Sequence, residues 1–341
     1  MSKDYVYTVE FIDLYVALCY TFVGKNIFMG WVMNNKVTDI IDNINKVLVG
    51  KPETVNFAVM TFLAGGHLLL EDVPGVGKTT LANALAVSAG CDFSRIQFTP
   101  DTLPSDVTGT SVYDMKSGEF RFIKGAVMSN IVLADEINRT SPKTQASLLE
   151  AMEEKQVTVD GKTYRLDEPF MVIATQNPSD FLGTYNLPEA QLDRFLMRIS
   201  IGYPEFDDEK KMAENFLQGI TRECLSAVAS RDEILQMQKE TASVKIVPDV
   251  SSYIVSIVSA TRQNEKLLLG ASPRATLALI RASQASAYIS GRDFVTPDDV
   301  QRVVYNVLCH RVTLSSDAKM EKASVHSVIE RILNKINTPV L

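Results

Sequence analysis

A chain of 341 residues, 46% hydrophobic and 22% charged, carries enough apolar material for a large core and has room for two domains. Its formal net charge of −7 gives no global pull toward nucleic acid or anionic lipid. Cys19, Cys91, Cys224 and Cys309 share no short spacing, nor do His67, His310 and His326, which argues against a disulfide framework or a transition-metal centre and for a cytoplasmic chain.

Residues 1–32 stand apart. Leu14–Gly24 is apolar but spans only eleven residues, too few for the ~30 Å of a bilayer core, so no stable membrane insertion is expected. Asp4, Glu10 and Asp13 precede it, where a secretory signal would be basic. An extra packed element, a membrane-surface anchor and a translated leader ahead of a start at Met33 all fit. The leader fits best, because regular amphipathic pattern begins only after Met33.

Val37, Ile40, Ile41, Ile44, Val47 and Leu48 then recur at helical spacing over Asn35–Val49, and Gly50 ends the run. A second helix is predicted over Glu53–Ala64, closed by Gly65-Gly66. Next come strand His67–Glu71, helix Thr79–Ala89, strand Arg95–Phe98, strand Ile131–Ala134 and helix Lys143–Glu154. Strand Phe170–Thr175 and a short helix around Ala190–Arg194 follow. Strands apolar throughout and separated by helices predict a parallel sheet covered on both faces, an α/β fold of three αβα layers. Two hairpins interrupt the pattern: Val157–Val159 and Thr163–Arg165 around Asp160-Gly161, and Ser111–Asp114 and Glu119–Phe122 around Lys116–Gly118. Such protrusions are surfaces for partners or substrates, or plain surface hairpins. After Tyr203-Pro204 only helices are predicted: Asp207–Gln218, Ser230–Ser243, Pro248–Gln263, Pro273–Ser290 and Pro297–Arg311. The expected division is an α/β core over 33–204 and an all-α domain over 205–341.

The run HLLLEDVPGVGKTT (His67–Thr80) has the layout of a triphosphate cradle. Gly75 and Gly77 let backbone N–H groups close around phosphate, Lys78 reaches the β- and γ-phosphates, and the Thr79 hydroxyl ligates Mg²⁺. Pro74, Val76 and Thr80 complete the loop. The strict pattern has Gly where Asp72 stands. In IVLADEINR, a buried strand delivers Asp135 and Glu136 to the ligand edge of the sheet. Asp135 would orient Mg²⁺, and Glu136 would polarise the attacking water as general base. MVIATQNP ends in Asn177, an amide able to bond both water and γ-phosphate; Gln176 fits the same role with the register shifted by one, and a loop-capping Asn before Pro178 is the bland alternative. No guanine-reading Asn/Thr-Lys-x-Asp run follows the fourth strand.

Asp72–Thr79 (DVPGVGKT), Leu133–Arg139 (LADEINR), Ala174–Pro178 (ATQNP), Leu187–Met197 (LPEAQLDRFLM) and Gly270–Ala275 (GASPRA) occur in that order. Together they resemble the MoxR family of AAA+ ATPases from about Asn34 to near residue 315, and Gly291–Gln301 resembles part of that family's helical lid. The resemblance implies a P-loop core with β-hairpin inserts, ATP and Mg²⁺ as cofactors, and a ring, hexameric in the family's manner. It implies that Arg194 is the arginine finger offered to the next subunit and that Arg274 is the second sensor, reporting the γ-phosphate to the lid. Without the resemblance, Arg194 reads better as a helix-end ion pair and Arg274 as a helix-start surface charge. Gly50 resembles the turn against which this family packs adenine. The implied role is chaperone-like remodelling or metal loading of a client carrying a von Willebrand factor A domain, while the acidic balance and the lack of a basic aromatic-rich stretch weigh against a nucleic acid partner. A chelatase- or helicase-like motor and a nucleotide-gated scaffold are the alternatives.

Overall fold

The computed structural model describes residues 36–177, 185 and 187–340. The extension over 1–32 and the start at Met33 lie outside the described residues.

In chain order, the first part contains α1 (36–45), α2 (Pro52–Leu63), β1 (Leu68–Glu71), α3 (Lys78–Ser88), β2 (Phe93–Gln97) and α4 (Pro104–Thr108). It continues with β3 (Gly109–Asp114), β4 (Glu119–Lys124), β5 (Ile131–Asp135), α5 (Pro142–Glu154), β6 (Gln156–Val159), β7 (Lys162–Arg165), β8 (Met171–Gln176), α6 (Glu189–Leu192) and β9 (Met197–Ile199). Five of the strands form one sheet, in the order β2–β5–β8–β1–β9, and every pairing is parallel. All strand ends therefore share one edge and all strand starts share the other.

The pleat explains why the strands are apolar throughout. Leu68, Leu70, Ile131, Leu133, Met171 and Ile173 point to one face, where α2 and α3 pack. Leu69, Val132, Ala134, Val172 and Ala174 point to the other, where α5 supplies Leu148, Leu149 and Met152. Each face is a core, so Leu→Ala at Leu69 or Leu70 costs about 2–5 kcal/mol.

The remaining helices are α7 (Phe206–Leu217), α8 (Arg231–Ser243), α9 (Pro248–Arg262), α10 (Pro273–Ile289), α11 (Pro297–Leu308), α12 (Ser316–Met320) and α13 (Val325–Leu333). The apolar stripes of α8–α11 and α13 (Ile234 and Met237, Ile254 and Ile257, Leu279, Val300 and Val304, Ile329) join the core on the α2/α3 face. Arg292 forks onto the buried Asp299 at 2.7 Å through both nitrogens, and Asp299 also accepts the Thr296 N–H at 2.8 Å, fixing the start of α11. Short strands β10 (Leu267–Leu269) and β11 (Thr313–Leu314) pair antiparallel within this helical part.

Both predicted hairpins form, β3–β4 and β6–β7, each as its own two-stranded sheet. Asp160 and Gly161 both take positive φ, 49° and 77°, the turn type that a two-residue connection demands. Ring stacking of Phe122 on Tyr164, centroids 4.0 Å apart at 11°, ties one hairpin to the other. The predicted elements leave out β9, whose three residues MRI carry an arginine at their centre and give too short an apolar run to read.

A triphosphate cradle and an arginine edge

β1 ends at Glu71, and the chain turns through Asp72–Gly77 into α3. Gly75 and Gly77 have φ of 86° and 98°, a left-handed backbone that side chains resist. A Cβ on Gly77 would also stand 3.0 Å from Leu48 Cδ1. No side chain caps the α3 N-terminus, so its first N–H groups and the positive end of the helix dipole face the loop. Lys78 Nζ donates to the Asp72 carbonyl at 2.5 Å across the turn. Burial pulls the Lys78 pKa down, opposed by the carboxylates of Asp72, Asp135 and Glu136.

Asp72 explains its own departure from the glycine pattern. One carboxylate oxygen accepts from the Ile201 N–H at 2.6 Å, the Gly202 N–H at 2.7 Å and the Ser200 hydroxyl at 2.9 Å. Burial pushes this carboxyl up, but the Gly202, Ser200, Ile201 and Val73 donors outweigh burial and hold its pKa below the usual value. The residue thus bolts the phosphate loop to the chain leaving β9.

β5 and β8 present their tips beside this loop. Thr175 Oγ1 donates to Asp135 Oδ1 at 2.6 Å and accepts the Glu136 N–H at 2.8 Å. The other Asp135 oxygen holds Arg95 Nη2 at 2.6 Å, so its outward lone pairs already face a cation. Glu136 sits at φ 55°, ψ 50°, a conformation rare for a non-glycine residue and frequent at working sites. Its Oε2 accepts from Gln97 Nε2 at 2.8 Å and pairs with Arg139 at 3.1 Å. Asn177 follows β8 directly and is buried, while Gln176 ends the strand in register with Glu71. The hard oxygens of Thr79 and Asp135 beside an ammonium and open N–H groups suit a magnesium-bound triphosphate.

Gly50 stands at this same edge with φ 75°, and the Asp208 carboxylate fills the space that a side chain there would need. Lys51 Nζ donates to the Tyr203 carbonyl at 2.7 Å, drawing the start of α7 against the turn.

Arg194 and Arg274 lie elsewhere. Leu196 N donates to the His67 carbonyl at 2.8 Å, so Arg194 precedes β9 at the edge where strands start. Arg281, one side of α10 on from Arg274, bonds the Ala64 and Gly65 carbonyls ahead of β1 at 2.6 and 2.8 Å. Both arginines meet on one side chain: Arg194 Nη2 is 3.0 Å from Glu153 Oε2, and Arg274 Nη2 is 2.5 Å from Glu153 Oε1. The four residues of β1 alone put about 13 Å between this edge and the phosphate loop. Arg274 therefore stands with Arg194, not beside the loop of its own chain.

A buried brace holds the pair. Arg311 Nε bonds Asp193 Oδ1 at 2.8 Å, and its Nη2 bonds the Phe195 carbonyl at 2.6 Å. The Ser272 hydroxyl, which caps α10, donates to Asp193 Oδ2 at 2.8 Å. Asp193 thus links the residue before Arg194 to the turn before Arg274. Arg95, Gln97, Thr175, Glu153, Asp193 and Arg311 carry no site role in the reading of the sequence. Arg95 and Gln97 leave a trace there, as polar residues alternating with Ile96 at a strand end.

A five-stranded parallel sheet with a phosphate loop, a strand-end acid pair and a helical lid defines a AAA-type nucleotide-binding protein. Residues 67–197 match the ATPase family associated with various cellular activities (AAA), and residues 259–332 match the AAA lid domain. A Bacillus subtilis protein, the uncharacterized YeaC, is 49% identical over 300 residues, covering 88% of this chain and 94% of its own. Chaperone MoxR1 of Mycobacterium tuberculosis is 40% identical over 308 residues, 88% of this chain and 81% of its own. A crystal structure assigned as an ATPase of Cytophaga hutchinsonii superposes with a TM-score of 0.87 at 40% identity, covering 93% of this chain and 99% of that one. The chain belongs to the MoxR family of AAA+ ATPases.

Proposed function

We propose that this chain is a Mg²⁺-dependent ATPase of chaperone type that works as a ring, hexameric in size, in the cytoplasm. The observation that carries this reading is the split between its two charged edges. The cradle, the acid pair and Asn177 lie where strands end, and Arg194 with Arg274 lies where strands start. A second copy must bring its arginines to complete the site.

Lys78 and the α3 N–H groups grip the β- and γ-phosphates, with Pro74, Val76 and Thr80 shaping the loop. Thr79 and Asp135 hold Mg²⁺. Bound Mg·ATP supplies the phosphoryl group and the metal charge that spreads its developing negative charge. Glu136, fixed by Gln97 and Arg139, takes the proton of the attacking water, and Asn177 orients that water. Arg194 and Arg274 of the neighbouring copy neutralise transition-state charge with forked guanidinium groups. Gly50 and the Asp208 turn border the place for the base.

The name of the Mycobacterium tuberculosis relative, a chaperone, supports remodelling or maturation of a client protein, including its metal loading. The tied hairpins are the parts placed to act on it, and a separate protein with a von Willebrand factor A domain is the client proposed. Among the described residues, no helix is long and apolar enough to cross a membrane.

Glu136→Gln protein should bind Mg·ATP like the parent while turnover falls by about 10²–10⁴-fold. Hydrolysis at the parental rate in that variant would remove Glu136 as the base, and a parent that binds Mg·ATP without turning it over would make a nucleotide-gated scaffold the better reading.

A further inference from the structure

Helix α7 is unlike every other long helix among the described residues: none of its side chains is buried. Phe206 is 83% exposed, Phe216 74% and Leu217 84%. Met212, also exposed, falls between them, and exposed Tyr203 and Ile220 extend the apolar strip at either end. Positions 206, 213, 216 and 217 share one helical face, so Phe206, Phe216 and Leu217 form one surface rather than scattered residues. Large apolar patches of this kind mark a docking surface.

Two observations identify the occupant. First, α7 begins at the phosphate edge: Asp208 lies against Gly50, and the chain entering the helix is bolted to Asp72 and Lys51. That edge is where the triphosphate site lacks its arginines. Second, the charges are complementary. The first turn of α7 carries Asp207, Asp208 and Glu209, and with Glu214 these outnumber Lys210 and Lys211. The arginine edge forms a groove in which Lys155, Arg194, Arg274, Arg281 and Arg311 outnumber Glu153 and Asp193, with Leu277 62% exposed beside Arg274. An acidic, apolar helix on one edge faces a basic groove with an apolar rim on the other.

We propose that the apolar face of α7 is the docking surface for the arginine-bearing edge of a second copy of this chain. Its acidic first turn meets the basic groove, and Phe206, Phe216 and Leu217 pack around the neighbour's Leu277. The contact is heterologous, so it repeats from copy to copy around a ring. This proposal rests on the shared-site reading above and adds the surface that aligns the two edges.

The test uses full-length parent protein and a Phe216→Glu/Leu217→Glu variant, both changes lying on exposed positions. Sedimentation and Mg·ATP hydrolysis are measured, with nucleotide binding to the single chain and melting temperature as controls on the fold. The variant should melt and bind nucleotide as the parent does, sediment as a monomer, and lose hydrolysis by at least tenfold. Mixing it with Arg194→Ala chains should restore part of the activity, because the variant still offers intact arginines and the Arg194→Ala chain an intact α7. A variant that assembles and hydrolyses like the parent would overturn the proposal, as would a variant that is monomeric but gains nothing from Arg194→Ala chains at any ratio. A parent that hydrolyses Mg·ATP as a monomer would instead sink the shared-site reading itself. A Leu277→Glu variant, altered on the opposite edge, should reproduce the monomer; if it assembles normally, the groove is not the partner of α7.

Discussion

Asp72 shows how a departure from a pattern can be structural. Glycine at that position would restore the strict phosphate-loop sequence, yet it would strip the acceptor from Ser200, Ile201 and Gly202. Asp72→Gly should therefore destabilise the chain by about 2–4 kcal/mol in urea unfolding, without raising nucleotide affinity. An unchanged midpoint would show that the three donors find other partners. His67 makes a second residue-scale case. It accepts the Val172 N–H on Nδ1 at 3.0 Å, so its Nε2 must donate to the Met152 carbonyl at 3.1 Å. Burial first, then the charges of Arg281 and Lys155, outweigh the Met152 bond and lower its pKa from 6.5 to about 4. Between those values the unfolded chain takes up a proton that the native imidazole refuses, so stability drops as pH falls from 6.5 toward 4. At about 1.4 kcal/mol per unit, His67 alone should account for about 2 kcal/mol between pH 7.5 and 5. Unfolding at both pH values in the parent and in His67→Gln checks this: the variant should lose less, and equal losses would contradict it.

At the scale of elements, the hairpins are joined by contact rather than by sequence. A double-mutant cycle on Phe122→Ala and Tyr164→Ala should give a coupling of about 0.5–1.5 kcal/mol, since each ring loses its stacking partner in either single variant. Additive losses would mean that the hairpins behave independently. The parallel sheet was legible because its strands are apolar throughout, and the turn at Asp160-Gly161 because few residue pairs adopt that backbone. The cradle, Asp135 and Glu136 were equally plain, being short-range patterns at strand ends. β9 was not, since three residues with Arg198 at the centre carry no periodicity. The brace of Asp193, Ser272 and Arg311 was hidden for a different reason: its members are up to 118 residues apart and meet only when α10 and α11 pack on the core. Arg274 shows the same limit, because a motif names a residue type and its neighbours but not which edge of the sheet the fold gives it.

For the whole molecule, the consequence is polarity. One edge offers the cradle, Glu136 and α7; the other offers Arg194, Arg274 and the basic groove. Glu153 holds both arginines at 3.0 and 2.5 Å within the single chain, so in the ring proposed above each would exchange that carboxylate for phosphate as copies assemble. The most direct measurement mixes two inactive proteins, Lys78→Ala and Arg194→Ala, across a range of ratios and follows ATP hydrolysis. Seams that pair an intact cradle on the Arg194→Ala chain with an intact arginine from the Lys78→Ala chain should hydrolyse, so activity rises to a maximum at intermediate ratios. Mixtures that remain as inactive as their components at every ratio, while still assembling, would contradict a site shared between neighbouring copies.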